Sequence, residues 1–264
     1  MAETLQYTPG LVSIVTPVYN AERFIGSTIR SVLQQTYTRW EMLLVDDCSA
    51  DNSAHIIQEL AEKDARIKYV RLPQNSGAAV ARNEAIQRAT GEYLAFLDSD
   101  DLWEPEKLQE QVSLAGSNEP FVFTAIKTID EQEEVIKNYV WIPETTDYRH
   151  LLRQTVIATS SVLLHRPTVG TFTMPLRRSG QDYATWLMLL RKVRRARGIQ
   201  KALTTYRVSS NSLSSKKLDS VRQVFSIQTK DEHISKTSAA VNTLHFCWYA
   251  FKKHYIKTQT LCTS

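Results

Sequence analysis

An α/β fold with a parallel sheet at its centre follows from two features of the first hundred residues. Short β-branched runs alternate with segments of helical periodicity, and polar, turn-forming residues close each run. The runs LVSIVT (11–16), EMLLVD (41–46), IKYVRL (67–72) and EYLAFL (92–97) read as buried strands. Between the first two, Ile25, Ile29, Val32 and Leu33 share one helical face after a cap expected at Asn20. Ile56, Ile57 and Leu60 mark a second helix after Asp51 or Ser53, and a third runs from Ala78 to Ala89 and stops at Gly91. Strand, helix and strand joined by short connections imply right-handed crossovers, and ligands of such sheets bind beyond the carboxyl ends of the strands.

The second half is less regular. FVFTAI (121–126), SSVLLH (160–165) and the segment up to Thr205 read as strands, and a helix is expected around Tyr183 to Val193. The polar run VSSNSLSSKK (208–217) reads as a loop. Two further helical patterns follow it. In the last, Val241, Leu244, Trp248, Phe251 and Tyr255 recur three and four apart, and Lys252, Lys253, His254 and Lys257 close the segment.

At 264 residues, 42% hydrophobic and 23% charged, the chain suffices for one large domain with an appended tail. Three cysteines at irregular spacing supply neither a disulfide framework nor paired zinc ligands, which fits a reducing cytoplasm. No basic n-region precedes an apolar run, and no stretch reaches the roughly 20 apolar residues of a membrane span, so neither a cleaved signal nor an integral membrane protein is expected. Leu187 to Ser264 carries 15 Lys and Arg against 3 Asp and Glu, leaving 17 against 25 for the rest. This asymmetry, and not the net +4, suggests an anionic partner for the C-terminal third.

Chemistry concentrates at strand ends. LAFLDSDDLW (94–103) ends an apolar strand in Asp98, Asp100 and Asp101. Such hard oxygen ligands suit Mg²⁺ or Mn²⁺, held by one or two carboxylates with positions left for phosphate oxygens. Taken alone, the motif equally suits a cap for the helix opening near Pro105. VDDCSADNS (45–53) presents a second acid pair, Asp46 and Asp47. SIVTPVYN (13–20) places Thr16, Pro17 and Tyr19 at the first strand end, and NSGAAVARNEAI (75–86) puts Gly77 in a turn with Arg82 and Asn83 one helical turn inward. Four strand ends with such residues on one rim are what a nucleotide diphosphate site requires. Asp182, in SGQDYATWLML, starts a helix containing Trp186; on its own it is as readily a cap as a general base.

In this order and spacing, SIVTPVYN, VDDCSADNS, NSGAAVARNEAI and GEYLAFLDSDD resemble the nucleotide-binding half of family 2 glycosyltransferases, specifically the small bacterial enzymes of O-antigen, capsule or teichuronic acid synthesis. The resemblance is close over residues 11–108 and patchy to about 215. It implies a GT-A fold, a Rossmann-like nucleotide-binding mixed sheet flanked by helices, with a helical basic C-terminal extension. Residues 1–215 would form the catalytic domain, with its nucleotide-sugar-binding half at 11–108 and its acceptor-binding half at 109–215, and 216–264 the tail.

The resemblance further implies inverting transfer from a UDP-sugar to a polyprenyl diphosphate-linked saccharide, so that an α-linked donor yields a β-linked product. Thr16 and Asp47 match positions that contact the base. Pro17, Tyr19, Gly77 and Arg82 lie in motifs lining that pocket. Asp98, Ser99 and Asp100 match the DxD motif, whose aspartates hold metal, diphosphate and donor ribose. Asp182 matches the general base. Two departures are Cys48, where the motif more often has Gly, and Gln181, which replaces an acid beside the base.

Trp186, Arg207 and Lys216 are candidates for acceptor or phosphate contacts, with Tyr206 and Ser212 near the same mouth; a solvated basic loop is the plainer account of any one basic residue there. The final helix suits an anionic leaflet at the inner face of the cytoplasmic membrane, the catalytic domain, or a second subunit in a homodimer. A GT-A-like nucleotidyltransferase is the competing enzyme, but PVYNAERF is not its Gly-rich basic loop. A basic nucleic-acid-binding protein would leave the carboxylates unexplained; no nucleic acid partner is expected.

Overall fold

The computed structural model describes residues 6–208 and 217–255. Four strands stand where the apolar runs place them: β1 (Thr8–Val18), β2 (Trp40–Asp46), β3 (Ile67–Arg71) and β4 (Gly91–Phe96). They pair in parallel in the order β3-β2-β1-β4. Their register puts Val18 level with Asp46 and Val15 level with Phe96, so residues 17–19, 47 and 98–100 leave the sheet along one edge. Helices α1 (Ile25–Leu33), α2 (Ser53–Ala61) and α3 (Ala78–Arg88) connect them. The alternation of side chains along β1 divides the core in two. Val12 and Ile14 face Ile25, Ile29 and Ile57 of α1 and α2, and Val15 faces Ala81 and Ala85 of α3.

Asn20 does not cap α1. Phe24 occupies that position with no side-chain cap, while Asn20 takes φ +46° and accepts a hydrogen bond from the Ala50 amide at 2.9 Å. Asp51 accepts from the Glu22 amide at 2.9 Å. Asn20 and Asp51 thus tie one loop to the other, and Asp51 also accepts from the Ser53 amide that opens α2, at 3.0 Å.

Beyond β4 the sheet becomes mixed. β5 (Leu102–Trp103), α4 (Lys107–Leu114), β6 (Phe121–Ile129), β7 (Val135–Val140), β8 (Thr145–Asp147) and α5 (Tyr148–Arg153) lead to a 3₁₀ turn at Thr159–Ser161. β9 (Leu163–His165), α6 (Arg166–Val169), α7 (Gln181–Val193) and β10 (Arg195–Arg207) complete the body. β9 runs antiparallel to both β4 and β6, and β10 lies parallel to β6 and antiparallel to β5. The run read as a strand from Ser160 is divided: the serines form the 3₁₀ turn and only Leu163–His165 joins the sheet.

The expected C-terminal tail is helical over its described part and packs on the body. It comprises α8 (Lys217–Ser226), a π-helical turn (Ile227–Asp231) and α9 (Lys236–Tyr255). Val224 and Ile227 enter the core cluster that contains Trp186 and Leu187 of α7. Gln228 donates to the Leu152 carbonyl at 2.7 Å, and Glu232 accepts from the Tyr148 hydroxyl at 2.8 Å and pairs with Arg191 at 3.3 Å. On α9, Ala239 and Thr243 are buried, whereas Val241, Leu244, Trp248 and Phe251 are exposed. Its apolar stripe therefore faces away from the body.

Gly180, at the N-terminus of α7, takes φ +71°, and a Cβ there would meet the Gln223 amide nitrogen at 1.8 Å and the Ile227 Cδ1 at 2.9 Å. Both a left-handed conformation and close approach of α8 require glycine. Gly180→Ala is expected to cost about 1–2 kcal/mol for the backbone alone. A Tm lower by roughly 2–8 °C in thermal unfolding would register it.

Candidate functional site

Two adjoining cavities occupy the rim where these strand ends converge. The smaller, of about 370 Å³, is lined by Pro17, Tyr19, Asp47, Gly77 and Arg82 and by the Asp98–Asp100 loop. The larger, of about 1000 Å³, contains Asp182 and Tyr206 and is walled by α5, α7, α8 and α9. Most residues expected for donor binding are thus brought together, and the expected base lies next door.

The acids expected as an exposed pair are buried instead. Asp46 accepts hydrogen bonds from the Ser49 amide at 2.8 Å and the Tyr69 hydroxyl at 2.7 Å; burial and this carboxylate push the phenol up to about 12. Asp47 accepts from the amides of Ser76 and Gly77, each at 2.7 Å, and so shapes the Gly77 turn that lines the cleft. Gly77 itself takes φ +92°. Thr16 is fully buried, does not line the cleft, and its hydroxyl has no hydrogen-bond partner among the described residues. Cys48 takes φ +63°, the left-handed geometry for which glycine is suited, so the thiol is accommodated without a different turn. It lies against Arg71, outside the cleft lining.

The three acids of the Asp98–Asp101 loop have separate fates. Asp98 pairs with the buried Arg82 guanidinium at 2.5 Å. Burial opposes the charge on Arg82, but Asp98, then Asp182 and Asp100, raise its pKa overall. Asp100 also lines the cleft, and burial followed by the Asp98 charge pushes it up to about 6. Asp101 turns inward: fully buried, it accepts from the Ser160 hydroxyl at 2.5 Å and the Arg207 amide at 2.9 Å. Burial and its neighbours raise it well above the usual carboxylate range. The Thr28 hydroxyl of α1 lies 3.0 Å from the carbonyl oxygens of Ser99 and Asp101 and holds the loop from the other side.

Arg207, expected to reach phosphate, is occupied elsewhere. Its side chain is 2% exposed, donates to the carbonyls of Asp100 at 2.9 Å and Asp130 at 3.3 Å, pairs with Glu133 at 3.0 Å and lies over the Phe24 ring at 4.4 Å. Its location at the end of β10, beside β5, makes it a strut for the acidic loop. Trp186 is likewise a packing residue: it is 1% exposed and meets Phe96 and Phe121 edge-on, with centroids 5.3 and 5.4 Å away. Its position on the wall of the larger cavity is consistent with shaping it, not with presenting an open face. Lys216 and Ser212 lie outside the described residues.

Asp182 sits in the first turn of α7, two residues beyond the Gly180 cap, so it is not the N-cap. It accepts from the Thr159 hydroxyl at 2.8 Å and from the Tyr183 amide at 2.8 Å. Gln181 beside it is buried. Tyr206, 41% exposed, shares the cavity, and its phenol is pushed up by burial and then by Asp101, Asp98, Asp100 and Asp182. Thr28, Thr159 and Ser160 were not marked by the sequence pattern. Their only signal is a hydroxyl among apolar neighbours.

Two carboxylates in one cleft fit a divalent cation. Asp98 and Asp100 repel one another there, a cation would relieve the repulsion, and two protein oxygens leave coordination sites for phosphate. Among the described residues no cluster of three or more metal-ligating acids, histidines or cysteines occurs.

Residues 13–176 match the family described as glycosyl transferase family 2. The chain belongs to this family. TuaG of Bacillus subtilis (strain 168), whose assignment to teichuronic acid biosynthesis is provisional, is 38% identical over 94% of this chain and 96% of its own length. The Escherichia coli UDP-Glc:α-D-GlcNAc-diphosphoundecaprenol β-1,3-glucosyltransferase WfgD is 35% identical over 82% of this chain and 85% of its own. In fold, the chain resembles Staphylococcus aureus TarS 1-349 in complex with UDP at TM-score 0.65 and 19% identity, covering 96% of this chain and 75% of that one. It also resembles the Pyrobaculum calidifontis mannosyltransferase PcManGT in complex with GDP-Man and Mn²⁺, at TM-score 0.62 and 19% identity, covering 87% and 66%. The protein is therefore a family 2 glycosyltransferase with a GT-A fold. The nucleotidyltransferase and nucleic-acid readings give way to it.

The raised pKa of Asp100 has a stability consequence. Its folded form holds a proton more tightly than the unfolded chain does, so its contribution is present at low pH and lost as pH rises through about 6. Asp100→Asn should raise the stability of the metal-free protein at pH 7.5 by on the order of 1–2 kcal/mol, and by roughly half as much at pH 5, between the unfolded and folded pKa values. Thermal melts at the two pH values check this, and calorimetry should show Mn²⁺-dependent UDP binding lost in the same variant.

Proposed function

We propose that this glycosyltransferase moves a sugar from a UDP-sugar to a hydroxyl of a saccharide carried on a lipid diphosphate, with inversion. The observation that carries the reading is the adjacency of the two cavities: paired carboxylates at the floor of one, and Asp182 held by two donors in the other. The names of WfgD, which uses UDP-Glc and a diphosphoundecaprenol-linked sugar, and of the UDP complex of TarS support donor and acceptor class.

In this reading Asp98 and Asp100 hold Mg²⁺ or Mn²⁺, and the PcManGT complex supports Mn²⁺. When bound, the ion supplies positive charge to the departing diphosphate. Tyr19, Pro17 and the Asp47-shaped Gly77 turn form the wall for base and ribose. Asp182 takes the proton from the acceptor hydroxyl as its oxygen bonds to the anomeric carbon; the bond from that carbon to the phosphate oxygen breaks, and its electron pair leaves with UDP. The helices α8 and α9 wall one side of the larger cavity. The acceptor lies in that cavity, among Ile126, Ile142, Val156 and Phe246.

The location follows from α9. No helix among the described residues is long and apolar enough to cross a membrane. The outward stripe of Val241, Leu244, Trp248 and Phe251, followed in sequence by Lys252, Lys253 and Lys257, suits an anionic bilayer surface, where apolar contact and charge act together. The enzyme then works as a peripheral protein at the cytoplasmic face.

Two experiments test the reading. Asp182→Asn should keep UDP affinity and lose at least about 10²-fold in turnover across a panel of UDP-sugars; near-normal rates would remove Asp182 from the role of base. In flotation with phosphatidylglycerol vesicles, Trp248→Glu should release the enzyme from the bilayer and leave its melting temperature unchanged. Absence of vesicle binding by the wild type, with a dimer in light scattering, would assign the stripe to a second copy.

A further inference from the structure

Asp182 and the Asp98–Asp101 loop lie on different elements, 81 or more residues apart, and catalysis needs them in a fixed relation. The 3₁₀ turn Thr159–Ser161 touches both. The Thr159 hydroxyl donates to Asp182 Oδ2 at 2.8 Å. The next residue, Ser160, accepts from the Asp98 amide at 3.0 Å and donates to Asp101 Oδ2 at 2.5 Å. Consecutive Cα atoms are about 3.8 Å apart, so two neighbouring hydroxyls set the base against the acidic loop with almost no slack.

The turn is itself anchored on several sides. Thr159, Ser160 and Ser161 are 8%, 1% and 0% exposed. The Ser160 carbonyl accepts from the Trp103 indole at 2.7 Å, and the Ser161 carbonyl from the Gln111 amide at 2.9 Å. Ser161 donates to the Ala158 carbonyl at 2.6 Å. Trp103 lies in β5 and Gln111 in α4, so the turn is locked to the segment that follows the acidic loop.

We infer that Thr159 and Ser160 are the positioning residues of the active site, Thr159 orienting the Asp182 carboxylate and Ser160 setting the Asp98–Asp101 loop. This rests on the reading of Asp182 as the base. Both oxygens of that carboxylate are engaged, Oδ1 by the Tyr183 amide and Oδ2 by Thr159. The Tyr183 bond alone, from an adjacent residue of the same helix, leaves the side chain free to turn into the roomy cavity. Thr159 removes that freedom. Each carboxylate oxygen retains a second lone pair for the acceptor proton.

The two hydroxyls serve different substrates' worth of geometry, and the expected effects separate accordingly. With the purified full chain, Mn²⁺ and UDP-glucose, turned over with water or with a soluble GlcNAc-α-diphosphoryl lipid, Thr159→Val should lower kcat by about 10- to 100-fold. KM for UDP-glucose and the Kd for UDP should stay within about twofold, and Thr159→Ser should restore most of kcat, as the hydroxyl and not the methyl does the positioning. Ser160→Ala should instead weaken UDP binding. A Thr159→Val enzyme with wild-type kcat, beside an inactive Asp182→Asn control, overturns the inference. So does a kcat loss that follows a fall in Tm and is not restored by serine, which would make the contact a structural staple. Normal turnover by Asp182→Asn would defeat the assignment of the base, and is read separately from Thr159.

Discussion

The buried carboxylate of Asp101 is the constraint around which the site is arranged. A polar group without water requires partners, and Asp101 finds them on two other parts of the chain, the Arg207 amide at the end of β10 and the Ser160 hydroxyl in the 3₁₀ turn. Satisfying this one residue draws the carboxyl end of β10 and the turn before β9 against the carboxyl end of β4. Arg207 then closes over the loop, bonding the Asp100 carbonyl and stacking on Phe24. Asp98 and Asp100 are left facing the cleft because their neighbour faces inward.

This division of labour among adjacent acids explains why the motif is both structural and chemical. Asp100 lies within a partly buried cleft beside Asp98, and its raised pKa records burial first and the repulsion second. Two carboxylates held together in this way cost stability, as expected where electrostatics are organised in advance of a ligand. Arg82 balances part of the charge from beneath, held between Asp98 and the more distant Asp182 and Asp100.

The C-terminal helices extend the same logic to the second cavity. α8 packs on Gly180, two residues before Asp182, and α9 contributes Phe246 and Tyr249 to the wall while turning Trp248 and Phe251 outward. The segment is at once a wall of the larger cavity and the bearer of an exposed apolar stripe. The stripe therefore lies on an element that packs on α5 and α8, and α8 in turn packs on Gly180 at the start of α7.

What the sequence by itself determined is the parallel half of the sheet and the set of residues on its rim, because strand periodicity and the polar residues that end each strand are local properties. The family resemblance followed from those same motifs. Tertiary structure alone decided which polar residues meet the cleft. Asp47 and Asp101 look equivalent to Asp98 and Asp100 in sequence, yet the first pair is spent on backbone amides and a hydroxyl. Arg207 and Trp186 read as ligands but brace a loop and fill a core. Ser160 reads as a strand residue and nothing in the sequence singles out Thr159, yet together they join Asp182 to the acidic loop. Those roles depend on contacts between residues tens of positions apart, and no local pattern encodes whether a polar group will find its partner in solvent or in a distant part of the chain.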